Sequence, residues 1–163
     1  MSQRDDFIAR FGGVFEHSPW IAEAAYDAGL PSALTVDGLH AVLCAAMRAA
    51  PRDRRQALIV AHPDLAGRLS RAGRLTAASS AEQASAGLDS LSDDYFESFT
   101  ALNTAYTEKF AMPFVMAVKG RRLGDILAAF KTRLDNDPEA EFSTALCEIE
   151  KIALLRIQEL MKP

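Results

Sequence analysis

Histidine and cysteine are scarce in this chain, three of one and two of the other among 163 residues. His17, His40 and His62 are scattered and make no H-E-x-x-H or similar ligand spacing, so no metal is expected. Cys44 and Cys147 lie in otherwise helical, apolar patterns without a C-x-x-C pair, and read as reduced packing residues rather than a disulfide framework. Long apolar runs are also missing, since none approaches the roughly 18 to 20 residues that a membrane-spanning helix needs. The opening MSQRDDFIARFGG lacks the apolar core of a secretory signal and the closing Met161-Lys162-Pro163 is no peroxisomal address, so a cytoplasmic location is expected. Positive charge is in deficit as well. A net charge of −4 argues against a nucleic-acid surface, which needs a basic face to neutralise phosphates. The one dense basic cluster, Arg52, Arg54 and Arg55, reads as a solvated helix face.

What is present is apolar residue in helical rhythm. The hydrophobic share is 49%, too rich for disorder, and a chain of this size buries roughly 68 to 70% of its unfolded surface, enough for a core without staples. No repeat, low-complexity linker or second domain shows, so one domain over 1–163 is expected. Its fold class is all-α, a multi-helix bundle of about eight helices with a short extended segment near 113–118. Helices are expected over 7–11, from Ser18 as N-cap and Pro19 as first residue to Gly29, over 35–50, 52–61, 64–72, 79–88, 93–110 and 123–134, and from Pro138 to Met161 behind an Asp137 cap. Phe96, Phe99, Asn103, Tyr106 and Phe110 give the 93–110 helix an aromatic face, on which Asn103 must find a partner if buried. Phe142, Leu146, Ile149 and Ala153 make the stripe of the last helix. Arg156, on that side, has two readings, contact with a substrate carboxylate or an ion pair with a neighbouring helix.

Three stretches carry candidate chemistry. In the first, His62 precedes Pro63, and proline disfavours helical geometry in the residue before it, so the helix ending at Ala61 leaves the imidazole at its C-terminal end. The helix dipole favours imidazolium there while burial opposes it, which leaves the charge state open. In the second, Ser79 and Glu82 have the S-x-x-E spacing of a capping box, placing Glu82 in the first turn of a helix that Gly87 weakens or ends. In the third, Pro113 interrupts a helix and Gly120 closes the apolar run that follows, so Phe114, Val115, Met116, Ala117 and Val118 form an extended, buried piece. Backbone groups left unpaired there are free to bind a ligand rich in amides and ureas; the plainer reading is a buried connector or a short strand.

The segments GGVFEHSPW (12–20), HPDLAG (62–67), SSAEQASAGL (79–88) and LNTAYTEKFAMPFVMAVKGR (102–121) together resemble the ureidoimidazoline decarboxylase family, in that family's order and spacing. The resemblance implies cofactor-independent decarboxylation of 2-oxo-4-hydroxy-4-carboxy-5-ureidoimidazoline (OHCU) to (S)-allantoin in urate breakdown. In such a substrate a carbon bearing hydroxyl and carboxylate adjoins a C=N bond, which can take up the electron pair when carbon dioxide leaves, so no cofactor is implied. The resemblance makes His62 the catalytic proton donor. It makes Glu82 its catalytic partner, either bonding the substrate hydroxyl or orienting His62. Ser79, Ser80, Ala81, Glu82, Gln83 and 114–118 carry over as substrate-binding residues, with Gln83 offered to the ureido group and Pro63 as an apolar wall. His17 and Trp20 border the pocket as second-rank candidates, against a plain reading as surface histidine and packed indole. The family usually carries Gly-Phe where this chain has Ala111-Met112, which bears on the local backbone angles. A homodimer is also implied. Two alternatives stay open: a non-catalytic all-helical binding module, and a lyase acting on a related ureido compound.

Overall fold

The computed structural model describes residues 1–67 and 73–163, and among them all regular structure is helical. Among the described residues there are eight helices: α1 (Gln3–Phe11), α2 (Trp20–Ala28), α3 (Val36–Ala49), α4 (Arg52–Val60), α5 (Ala77–Ser85), α6 (Asp93–Phe110), α7 (Leu123–Leu134) and α8 (Pro138–Leu160). The all-α class is as expected. None of these helices is long and apolar enough to cross a membrane.

The chain divides into two compact units, 1–61 with 149–163, and 62–148. In the first, α2 packs against both α1 and α3. Leu39, Leu43 and Met47 of α3 are fully buried, as are Ile21, Leu58 and Ile59. Ser2 and Asp5 form a reciprocal capping box, so α1 begins four residues before the expected Phe7. At α2 the Ser18 hydroxyl donates back to the Glu16 carbonyl at 2.9 Å instead of capping, and Pro19 takes the N-cap position. Arg156 donates to Glu16 at 2.8 Å and to the Val14 carbonyl at 3.3 Å, so its partner is the loop after α1, not a helix. His17 sits at φ 47° with an exposed side chain, and Arg54 lies 4.4 Å above the Trp20 ring.

The second unit holds the three candidate stretches. Its core is aromatic: Phe114 stacks on Phe130 with centroids 3.8 Å apart, and Tyr106 meets both rings edge-on. Phe99, Asn103, Tyr106 and Phe110 of α6 are buried, while Phe96 stays half-exposed. Asp137 caps α8 by accepting from the Ala140 N–H at 2.9 Å, and Phe142 and Leu146 point inward as the periodicity predicts. Cys147 is exposed, so of the two cysteines only Cys44 packs. The expected helix over 64–72 does not start at Asp64, because 64–67 form a turn; the rest of that range lies outside the described residues.

Candidate active site

Helix α4 ends at Val60 and its C-cap Ala61 still donates to the Ala57 carbonyl at 2.9 Å, so the turn into His62 falls where Pro63 demands it. His62 is 7% exposed. Behind it Pro63 and Asp64 are half-buried, and burial raises the Asp64 carboxyl above its ordinary range. Leu65 and Ala66 are buried, and Ala66 takes a left-handed backbone with φ 52°, unusual for a residue with a Cβ. A Cβ on Gly67 would meet that of Asp64 at 2.8 Å, which is why only glycine fits there.

Three consecutive residues of this loop are fixed by two buried carboxamides. Gln83 of α5, 3% exposed, accepts from the Ala66 N–H at 2.9 Å and donates to the Asp64 carbonyl at 3.3 Å. Asn103 of α6 donates to the Leu65 carbonyl at 2.9 Å. The spacing of the candidate stretches hides this, because each bond spans at least seventeen residues of sequence. Glu82, adjacent to Gln83 in α5, is half-buried.

Helix α5 departs from expectation at its start. Thr76, not Ser79, is the N-cap, its hydroxyl accepting from the Ser79 N–H at 3.2 Å, which puts Ser79 at the third helical position and Glu82 in the second turn. The capping box is therefore absent: Ala77 and Ala78 are strong helix formers and let the helix begin three residues earlier. Ser79 is buried, whereas Ser80 and Ala81 are exposed. At the other end Gly87 (φ 75°) stops the helix as predicted, with Leu88 N–H donating to the Gln83 carbonyl and Gly87 N–H to that of Ala84, a Schellman closure.

The segment 113–118 has neither helix nor strand pairing, and the side chains from Phe114 to Val118 are all buried. Ala111 takes a left-handed conformation at φ 55° as the C-cap of α6, so the angle a glycine would adopt freely is kept by alanine. Two groups hold the segment. Arg133 of α7 donates to the Val115 carbonyl at 2.7 Å, and the Ala117 N–H donates to Glu148 at 3.4 Å. Met116, between them, makes no hydrogen bond among the described residues through either its N–H or its C=O.

Arg133 is itself anchored in a buried cluster that periodicity did not reveal. Glu141, 0% exposed, lies 2.5 Å from its guanidinium and accepts from the Tyr106 hydroxyl at 2.5 Å and from Asn136 at 3.0 Å. Burial first, and then the Glu141 bond, pushes the Tyr106 phenol far above its ordinary range, so it stays a donor. The signal available in sequence was a glutamate beside the apolar stripe of α8. A groove of about 410 Å³ runs past the loop, lined by Asp64, Gly67, Asn103 and Thr107 among others. Neither His62, Glu82 nor 114–118 lines it.

The OHCU decarboxylase family model matches residues 1–158 of this chain. The chain belongs to the OHCU decarboxylase family. As an OHCU decarboxylase family member it is a carboxy-lyase by class. A relative from Haloferax volcanii, named 2-oxo-4-hydroxy-4-carboxy-5-ureidoimidazoline decarboxylase, is 45% identical over 155 residues, covering 95% of this chain and 89% of its own. Among solved structures, a crystal structure of (S)-allantoin synthase is similar with TM-score 0.78 and 30% identity over 98% of this chain. This chain spans 51% of that one, about half its length. A crystal structure of OHCU decarboxylase in the presence of (S)-allantoin shares the fold, with TM-score 0.71, 22% identity and 96% of each chain covered.

Proposed function

We propose that this family member converts OHCU to (S)-allantoin, with His62 delivering the proton. Loss of carbon dioxide sends the C–C bonding pair toward the adjacent C=N, giving an enol-like intermediate. The imine nitrogen that takes up the displaced pair gains the proton that the hydroxyl releases on becoming the carbonyl of the product, and the former imine carbon receives a second proton on one face. His62 is the donor, and Glu82 bonds the substrate hydroxyl or orients the imidazole. The backbone of 114–118 holds the ring and ureido groups, Ser79 to Gln83 and Pro63 wall the pocket, and Gln83 retains one N–H and one lone pair for the ureido group.

One observation carries this reading: Met116 is buried with its N–H and C=O unbonded among the described residues, between neighbours that are clamped. Buried backbone groups are paired in more than about nine cases in ten, so this edge suits a ligand presenting its own N–H and C=O. Cytoplasmic location and homodimeric assembly belong to the same proposal, and light scattering on the purified chain tests the latter.

The decisive variant is His62→Asn, which keeps a similar shape without a titratable nitrogen. It is expected to lower kcat by about 10²- to 10⁴-fold while circular dichroism shows an intact fold. A fully active variant would remove His62 from the mechanism. A lyase acting on a related ureido compound instead would show the same dependence on His62 but negligible turnover of OHCU.

A further inference from the structure

The side chain least explained by packing is Asn103. It lies on the α6 face otherwise formed by Phe99, Tyr106 and Phe110, is 7% exposed, and its Oδ1 has no hydrogen-bond partner among the described residues. An asparagine in a helix interior has poor helix propensity, and a buried acceptor without a donor adds a desolvation penalty. An apolar residue would serve the core better. What Asn103 supplies is its Nδ2, 2.9 Å from the Leu65 carbonyl.

That bond falls on a loop under backbone strain. Ala66 is held at φ 52°, which persists only where the surroundings impose it. Gln83 provides two of the constraints, on Asp64 and Ala66, but both come from α5. Among the described residues, the Asn103 side chain ties this loop to α6 through its bond to the Leu65 carbonyl, and α6 also carries Tyr106, whose hydroxyl reaches Glu141 at 2.5 Å. Glu141 pairs with Arg133, and Arg133 grips the Val115 carbonyl. One face of α6 therefore connects the loop headed by His62 to the segment proposed to hold substrate. Between His62 and the anchored residues stands Pro63, whose fixed φ transmits position with little slack.

We infer that Asn103 is a positioning residue for proton delivery, setting the distance from His62 to the substrate carbon through the Leu65 carbonyl. The inference rests on His62 as proton donor, and it predicts an effect on turnover separate from binding. Substrate held by 114–118 binds as before, while the donor sits out of register; misplacement by about 1 Å is enough for a 10²-fold loss.

The test measures kcat, KM and thermal unfolding for the full-length wild type, Asn103→Leu, Asn103→Ala and His62→Asn, with OHCU generated freshly from urate. Leucine keeps the branched shape of asparagine, though it is bulkier, and removes the unbonded Oδ1 together with the donor; alanine removes both without adding bulk. Both Asn103 variants are expected to fold and to lose roughly 10- to 100-fold in kcat, with KM within about threefold of wild type. Three results would overturn the inference: kcat per folded molecule within about twofold of wild type, a raised KM with unchanged kcat, or failure of both variants to fold, which would make Asn103 a structural residue. A wild type that does not accelerate OHCU loss, or an active His62→Asn, would instead remove the reading on which the inference rests.

Discussion

Replacing Glu141 by glutamine is the sharpest test of how the substrate segment is held. The carboxylate is fully buried and faces the Arg133 guanidinium at 2.5 Å, with Tyr106 and Asn136 as further donors. Glutamine keeps the shape and a carbonyl that accepts from Tyr106, so the loss is the negative charge that compensates a buried cation. Breaking a buried pair from one side costs about 3–5 kcal/mol, and the retained hydrogen bond places Glu141→Gln near 3 kcal/mol. Against total stabilities of about 5–15 kcal/mol that is a large fraction, equivalent to a fall in Tm of roughly 6–12 °C for a chain of this size. Urea unfolding followed by circular dichroism reads the change directly. Adding Arg133→Met removes the orphaned cation, so the double variant should be more stable than Glu141→Gln alone, with a coupling visible in the double-mutant cycle. The pair would also loosen at the Val115 carbonyl, raising KM. A cost under about 1 kcal/mol, the level of an exposed ion pair, or strict additivity in the cycle would refute the account of a buried ion pair.

Two further predictions concern backbone strain and charge. Ala111→Gly should leave activity unchanged and raise stability by up to about 1 kcal/mol, because a left-handed alanine costs roughly 1–2 kcal/mol, partly offset by glycine's greater freedom when unfolded; a destabilised variant in chemical unfolding would contradict that backbone. Burial disfavours the charged form of Asp64, so its penalty on the folded state is absent below the ordinary carboxylate pKa of about 3.9 and grows as pH rises above it. Asp64→Asn is then more stable than wild type at neutral pH and indistinguishable from it in acid; a gain that persists at low pH would show that the carboxyl's burial is not the cause.

Local chemistry made much of this molecule readable in advance. Pro63 marks the end of α4 and the exit of His62, the Asp137–Pro138 pair starts α8, and the three- and four-residue steps of α6 name its buried face, Asn103 included. Errors arose where two local rules competed or where a bond joined distant residues. Thr76 and Ser79 both offer a capping hydroxyl, and the Ser79-x-x-Glu82 spacing favours the wrong one because it does not weigh the helix-forming alanines between them. What no periodicity encodes is that the Gln83 carboxamide bonds Ala66 and Asp64 at the same time, with one N–H and one lone pair left over. Arg133 and Glu141 look like ordinary surface charges until the aromatic core around Phe114 places them inside.

The central claim is that a histidine delivers one proton to one face of a decarboxylating ureidoimidazoline. Following fresh OHCU by ultraviolet absorption and the product by circular dichroism tests it most directly, since the unassisted reaction yields racemic allantoin. Wild type should speed the loss of OHCU and give (S)-allantoin alone, with His62→Asn returning the rate and the racemate of the unassisted reaction. Racemic product at the unassisted rate with wild type, or (S)-allantoin formed equally fast by His62→Asn, would contradict it.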